Sequence, residues 1–117
     1  LVSDGGVHSS EKHPRALLQM AARRGLAADR ILVHAVTDGR DTPPRSGIEH
    51  VQALERDIES AGVGRIATVV GRYWAMDRDK RWERVQRAYD LLTRGSGQRC
   101  ASAVSPTKRS SLQMASD

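Results

Sequence analysis

Phenylalanine is absent from these 117 residues, and two Trp with two Tyr are all the aromatic side chains available to a core. Leu, Ile and Val fill only 23 positions, which is near the composition of chains that cannot bury enough apolar surface to fold. The expected core is thin and the stability of the domain marginal. A single cysteine, Cys100, excludes an internal disulfide and a cysteine zinc site, and fits a reducing compartment. No long uncharged apolar run is present and the N-terminus lacks a basic-then-apolar layout, so neither a membrane span nor a signal peptide is expected. The formal net charge is +5, yet cations alternate with acids, as in Asp77-Arg78-Asp79-Lys80-Arg81. With no basic stripe and no interleaved stacking rings, a nucleic-acid partner is not expected.

Three apolar segments alternate with three helical ones. Leu1-Val2-Ser3 reads as the end of a strand whose beginning is missing. A helix is expected from Pro14 to about Arg24, burying Leu17, Leu18, Ala21 and Ala22, with Gly25 beyond it. Ile31 to Val36 is rich in β-branched residues and reads as a buried strand, with His34 in the core or on a sheet face. Ile48, Val51, Leu54 and Ile58 mark a second helix, for which Ser46 and Glu49 offer a capping box and Gly62 a stop. His50 lies between the stripe positions and is expected to be solvated or half-buried. Ile66 to Val70 reads as a third strand. The last helix is expected from about Lys80 to Arg94, with Trp82, Val85, Tyr89 and Leu92 as a core-facing stripe and Gly95 past its end. The pattern predicts an α/β fold, a parallel sheet with flanking helices in a βαβαβα segment of a larger domain. Residues 96–117 lose this spacing and carry six Ser in 22 positions, so they are expected to form a divergent, disordered tail.

Ligands of open α/β sheets sit beyond the carboxyl ends of the strands, and here all three following loops carry unusual residues. Asp4-Gly5-Gly6-Val7-His8 offers close backbone approach and an imidazole; Asp38-Gly39-Arg40-Asp41-Thr42-Pro43-Pro44 sets a guanidinium beside a carboxylate on a stiff loop. Gly71-Arg72-Tyr73-Trp74-Ala75-Met76-Asp77-Arg78 adds two arginines. The topology would bring His8, Arg40, Asp41, Arg72 and Arg78 to one rim. Arginines there can bind phosphate and carboxylate oxygens in a planar, bidentate manner, and Asp41 could exchange a proton with a ligand hydroxyl. A small, highly anionic, hydroxylated ligand follows; the plainer alternative is arginines paired with neighbouring aspartates at the surface. No nucleophile elbow, phosphate loop or zinc-protease motif is present, and no metal ligand is assigned.

The strings Leu1-Val-Ser-Asp-Gly-Gly-Val-His8, Asp38-Gly-Arg-Asp-Thr-Pro-Pro44 and the run from Gly71 to Val85 together resemble the cofactor-independent phosphoglycerate mutases over residues 1–95. The resemblance implies part of an inserted substrate-binding (phosphotransferase) domain of a monomeric, cytoplasmic isomerase of glycolysis and gluconeogenesis. Such an enzyme interconverts 3-phosphoglycerate and 2-phosphoglycerate through a phosphoserine. It implies two Mn²⁺ ions in the parent enzyme and no 2,3-bisphosphoglycerate. It implies substrate contacts by His8, Arg40, Asp41, Arg72 and Arg78, with Asp41 as proton shuttle. The serine nucleophile and the metal ligands would lie outside this chain, which alone would be inactive. Ser10 and Pro14 depart from the family's usual His and Leu. The competing reading is a non-catalytic α/β anion-binding module or degenerate gene product.

Overall fold

A computed structural model describes residues 1–104; the remainder of the expected tail, 105–117, lies outside the described residues. The elements are α1 (Lys12–Arg23), a 3₁₀ turn (Ala28–Arg30), β1 (Leu32–Thr37), α2 (Gly47–Ala61), β2 (Arg65–Gly71), the single-turn α3 (Arg72–Ala75) and α4 (Trp82–Arg94). β1 and β2 form a parallel two-stranded sheet, and α2 lies in the crossover between them. The expected α/β architecture with flanking helices is therefore present. Val2 meets Thr37 in an isolated parallel bridge, and its amide donates to the Val36 carbonyl at 2.8 Å. The first segment thus lies alongside β1 with the alignment expected of a third strand, but one bridge is all that it forms.

Burial is concentrated on the side of the sheet that packs against α1 and α2. Val2, Leu18, Ala35 and Leu54 form the centre, with Ile31, Val33, Ile58 and Ile66 packed around it. α2 follows its expected stripe, burying Val51 and Leu54, and closes on Gly62 in the left-handed conformation with its amide bonded to Ile58 and Glu59 carbonyls.

Several local expectations fail. α1 starts at Lys12, with Pro14 in its first turn, and Leu17 points outward at 60% exposure while Leu18 and Ala21 are buried. The Ser46–Glu49 capping box does not form: Ser46 is already helical in backbone conformation, and its hydroxyl donates to the Pro43 carbonyl at 2.8 Å. A box needs an extended N-cap residue whose oxygen faces the helix amides. β1 is not buried throughout, since Leu32 and His34 are exposed and the His34 Nδ1 pairs with the Thr68 hydroxyl across the sheet. The α4 stripe is the largest departure: Trp82 is 70% and Tyr89 56% exposed, and the helix buries Ala88 instead. Ala88 permits close approach. Periodicity identified a face, but the bulky side of that face has no neighbouring layer among the described residues.

Candidate functional site

The site begins with strand register. β1 and β2 end together at the pair Thr37↔Gly71, and the isolated bridge brings Val2 beside Thr37. The next residue along each segment is Ser3, Asp38 and Arg72. These three form a hydrogen-bonded row across the ends of the strands. The Ser3 hydroxyl donates to Asp38 Oδ2 at 2.7 Å, and Arg72 Nη1 donates to Asp38 Oδ1 at 2.8 Å. The same Nη1 donates to Asp41 Oδ2 at 2.8 Å. One guanidinium nitrogen therefore joins the third loop to two carboxylates of the second.

Asp38 is the hub of this arrangement. Its carboxylate side chain is only 1% exposed, and Oδ1 also accepts the amides of Arg40 and Asp41 at 3.1 Å each. These amide bonds fold the chain tightly after β1 and turn Asp41 back toward Arg72. Burial by itself pushes the Asp38 carboxyl up, but the Ser3 hydroxyl, the Arg72 guanidinium and the two amides outweigh it and hold the group well below the usual carboxylate range. Arg72 responds in the opposite sense, its pKa raised by the hydrogen bonds that it donates to Asp38 and Asp41, against the cost of burial. Gly5 brings the first loop against the second: a Cβ placed there would lie 2.9 Å from Asp41 Cβ and 3.2 Å from its carbonyl oxygen. Any side chain at position 5 would force the two loops apart.

Of the five residues expected from sequence, Asp41 and Arg72 are joined directly. Arg40 is exposed, and its amide is fixed by Asp38. His8 and Arg78 are exposed on the first and third loops, and no hydrogen bond or ion pair places their side chains against the Asp41–Arg72 pair. Arg72 is also not a free cation, because two carboxylates already share it; both bonds come from Nη1, and a guanidinium has further N–H donors beyond that nitrogen. Sequence reasoning missed Ser3 and Asp38 as site residues. The signal was the coincidence of strand ends, visible only once the register is known.

Among the described residues, no group of three or more His, Cys, Asp or Glu side chains is arranged to hold a metal ion. The nearest carboxylate pair, Asp38 and Asp41, shares a guanidinium, so a divalent cation would have to displace Arg72. These residues do not fit a manganese site.

The strand-following loops of this parallel sheet meet in a Ser3–Asp38–Arg72–Asp41 network at its carboxyl edge, which defines an α/β domain with flanking helices. The family model described as the N-terminus of BPG-independent PGAM matches residues 1–117, and the chain belongs to this family. It is 52% identical over 103 residues to a 2,3-bisphosphoglycerate-independent phosphoglycerate mutase of Rhodopirellula baltica, covering 88% of this chain and 19% of the relative. The mutase of Syntrophotalea carbinolica is 55% identical over 97 residues, covering 83% of this chain and 18% of the relative. That of Thermomicrobium roseum is 51% identical over 117 residues, which is 100% of this chain and 22% of the relative. The chain spans about a fifth of the length of these curated relatives.

Proposed function

We propose that this chain supplies part of the substrate-binding surface of an isomerase that interconverts 3-phosphoglycerate and 2-phosphoglycerate without 2,3-bisphosphoglycerate. The observation that carries the reading is the Ser3–Asp38–Arg72–Asp41 row at the ends of adjoining strands, in a chain of this family. In this reading Asp41 moves a proton to and from the glycerate hydroxyls, and Arg72 fixes the orientation of its carboxylate. Arg40, Arg78 and His8 bind the phosphate and carboxylate oxygens, for which planar guanidinium donors and an imidazole are suited. In this reading the phosphoserine and the manganese ligands belong to segments outside this chain. Expected partners are the two phosphoglycerates alone, with no nucleic acid and no membrane, within a monomeric cytoplasmic parent.

The test is Asp41→Asn in the full-length enzyme that contains this segment. Loss of a positioned acid–base group costs about 10²- to 10⁴-fold in turnover, while KM for 3-phosphoglycerate should change little. Unchanged kcat would overturn the assignment.

A further inference from the structure

The loop from Asp4 to Glu11 carries His8 at an exposed position, and three hydrogen bonds restrain it, one within the loop and two to the segment just before it. The Gly6 amide donates to the Ser9 carbonyl at 3.0 Å, and the Ser9 hydroxyl donates to the carbonyls of Leu1 and Ser3 at 2.5 and 3.3 Å. Outside the loop, one ring faces both of its ends. His50 lies on α2, and its side chain is only 12% exposed. Its Nδ1 lies 2.5 Å from Glu11 Oε1, and its Nε2 lies 3.6 Å from Asp4 Oδ1. The first contact is a hydrogen bond; the second is too long to be one, and it pairs opposite charges only when the ring is protonated. Asp4 opens the loop and Glu11 closes it, so the imidazole gathers both ends at one point. Glu11 occupies the N-cap position of α1, yet its carboxylate makes no capping bond. It is turned to His50 instead. α2 is also the helix that follows the Asp41 loop, so the clamp joins the His8 loop to the element downstream of Asp41.

We propose that His50 is a positioning residue that holds the His8 loop closed through Glu11 and Asp4. The imidazolium suits the geometry best, because only the doubly protonated ring has a proton to offer at each nitrogen. A neutral ring can keep the Glu11 bond but loses the charge attraction to Asp4. The groups facing the ring are thus Asp4 on the first loop and Glu11 at the start of α1. The part of the proposal that concerns ligand affinity rests on the reading of His8 as a phosphoglycerate contact.

The experiment compares the 117-residue chain with its His50→Ala, His50→Gln and Glu11→Gln forms by ¹⁵N relaxation and by titration with 3-phosphoglycerate. Expected is increased fast motion at Gly6, Val7 and His8 in His50→Ala and Glu11→Gln, with the Ala35 and Val51 amides unchanged. His50→Gln, which keeps one donor, should recover part of the order. Loop motion identical to native in both Glu11→Gln and His50→Gln would overturn the clamp, as would loosening spread equally over the core amides. Weaker 3-phosphoglycerate binding with the loosened loop, by roughly the threefold to tenfold that one hydrogen bond supplies, supports both the clamp and the ligand role of His8. A loosened loop with unchanged affinity supports the clamp and overturns that role.

Discussion

Asp38 combines burial with four donors on one carboxylate, since the Ser3 hydroxyl, the Arg72 guanidinium and two backbone amides all donate to it, while Arg72 is shared onward with Asp41. Removing its charge leaves Arg72 with one acid and frees the turn after β1. Asp38→Asn should cost about 1.5–3 kcal/mol, the scale of a charged hydrogen bond in a confined site, read from urea denaturation. The same group sets an acid limit on stability. Its folded-state pKa is depressed, so its contribution is complete above the ordinary carboxylate value of about 4 and is lost as pH falls below it. Stability measured from pH 6 downward should decline in the native chain and decline less steeply in Asp38→Asn. Gly5 makes a different kind of demand, that of space. Gly5→Ala should push the first loop off Asp41 and weaken 3-phosphoglycerate binding, checked by the same titration that tests the His50 clamp; unaltered affinity would mean that the apposition of the loops is not used. Asp41 and Arg72, which the structure joins, stood out in the sequence because their loops combine Gly, Pro and paired charges. Ser3 and Asp38 carry no such mark, since a Ser at a strand end and an Asp before Gly are ordinary turn residues.

Elements were read with uneven success for one physical reason. A periodic pattern reports that a face exists, and burial requires something to lie against it. β1 and β2 were expected from their apolar, β-branched runs and appear within about a residue of the expected bounds, because parallel pairing around a crossover helix gives such runs a place to go. α2 has a core below it and follows its stripe. α4 has the same kind of pattern, but Ala88 is its buried residue and Trp82, Tyr89 and Leu92 lie outward. Its Arg84 instead bonds Asp77 at 3.2 Å and sits 3.9 Å above the Tyr73 ring, tying the third loop to the helix through charge. At this scale Gly62 is the clearest test. It ends α2 at φ 71° with open space where a Cβ would go, so Gly62→Ala should destabilise through backbone strain alone, by about 1 kcal/mol. A denaturation midpoint equal to that of the native chain would contradict the left-handed cap.

The whole molecule has a small and one-sided core. Val2, Leu18, Ala35 and Leu54 form its centre, and nine large hydrophobic residues among the described ones are exposed around it, so loss of any central side chain matters more than composition suggests. Leu54→Ala should cost about 2–5 kcal/mol, enough to unfold a domain with so little margin. Trp82→Ala removes a far larger side chain at 70% exposure and should shift the urea midpoint hardly at all, within about 0.5 kcal/mol. Equal effects would show that α4 is covered in solution and that the sequence reading of its stripe was right. No helix among the described residues is long and apolar enough to cross a membrane.

The order of the main elements, the parallel α/β class and the family were all legible in the amino-acid sequence, because these depend on local periodicity, turn chemistry and long motif strings. Tertiary structure decided which faces are covered, that Arg72 is shared by two carboxylates, that Asp38 is the buried hub, and that His50 meets both ends of the His8 loop. Those outcomes depend on register and on contacts between segments more than thirty positions apart. No local pattern encodes that distance; it is fixed only when the strands pair and their ends are brought level.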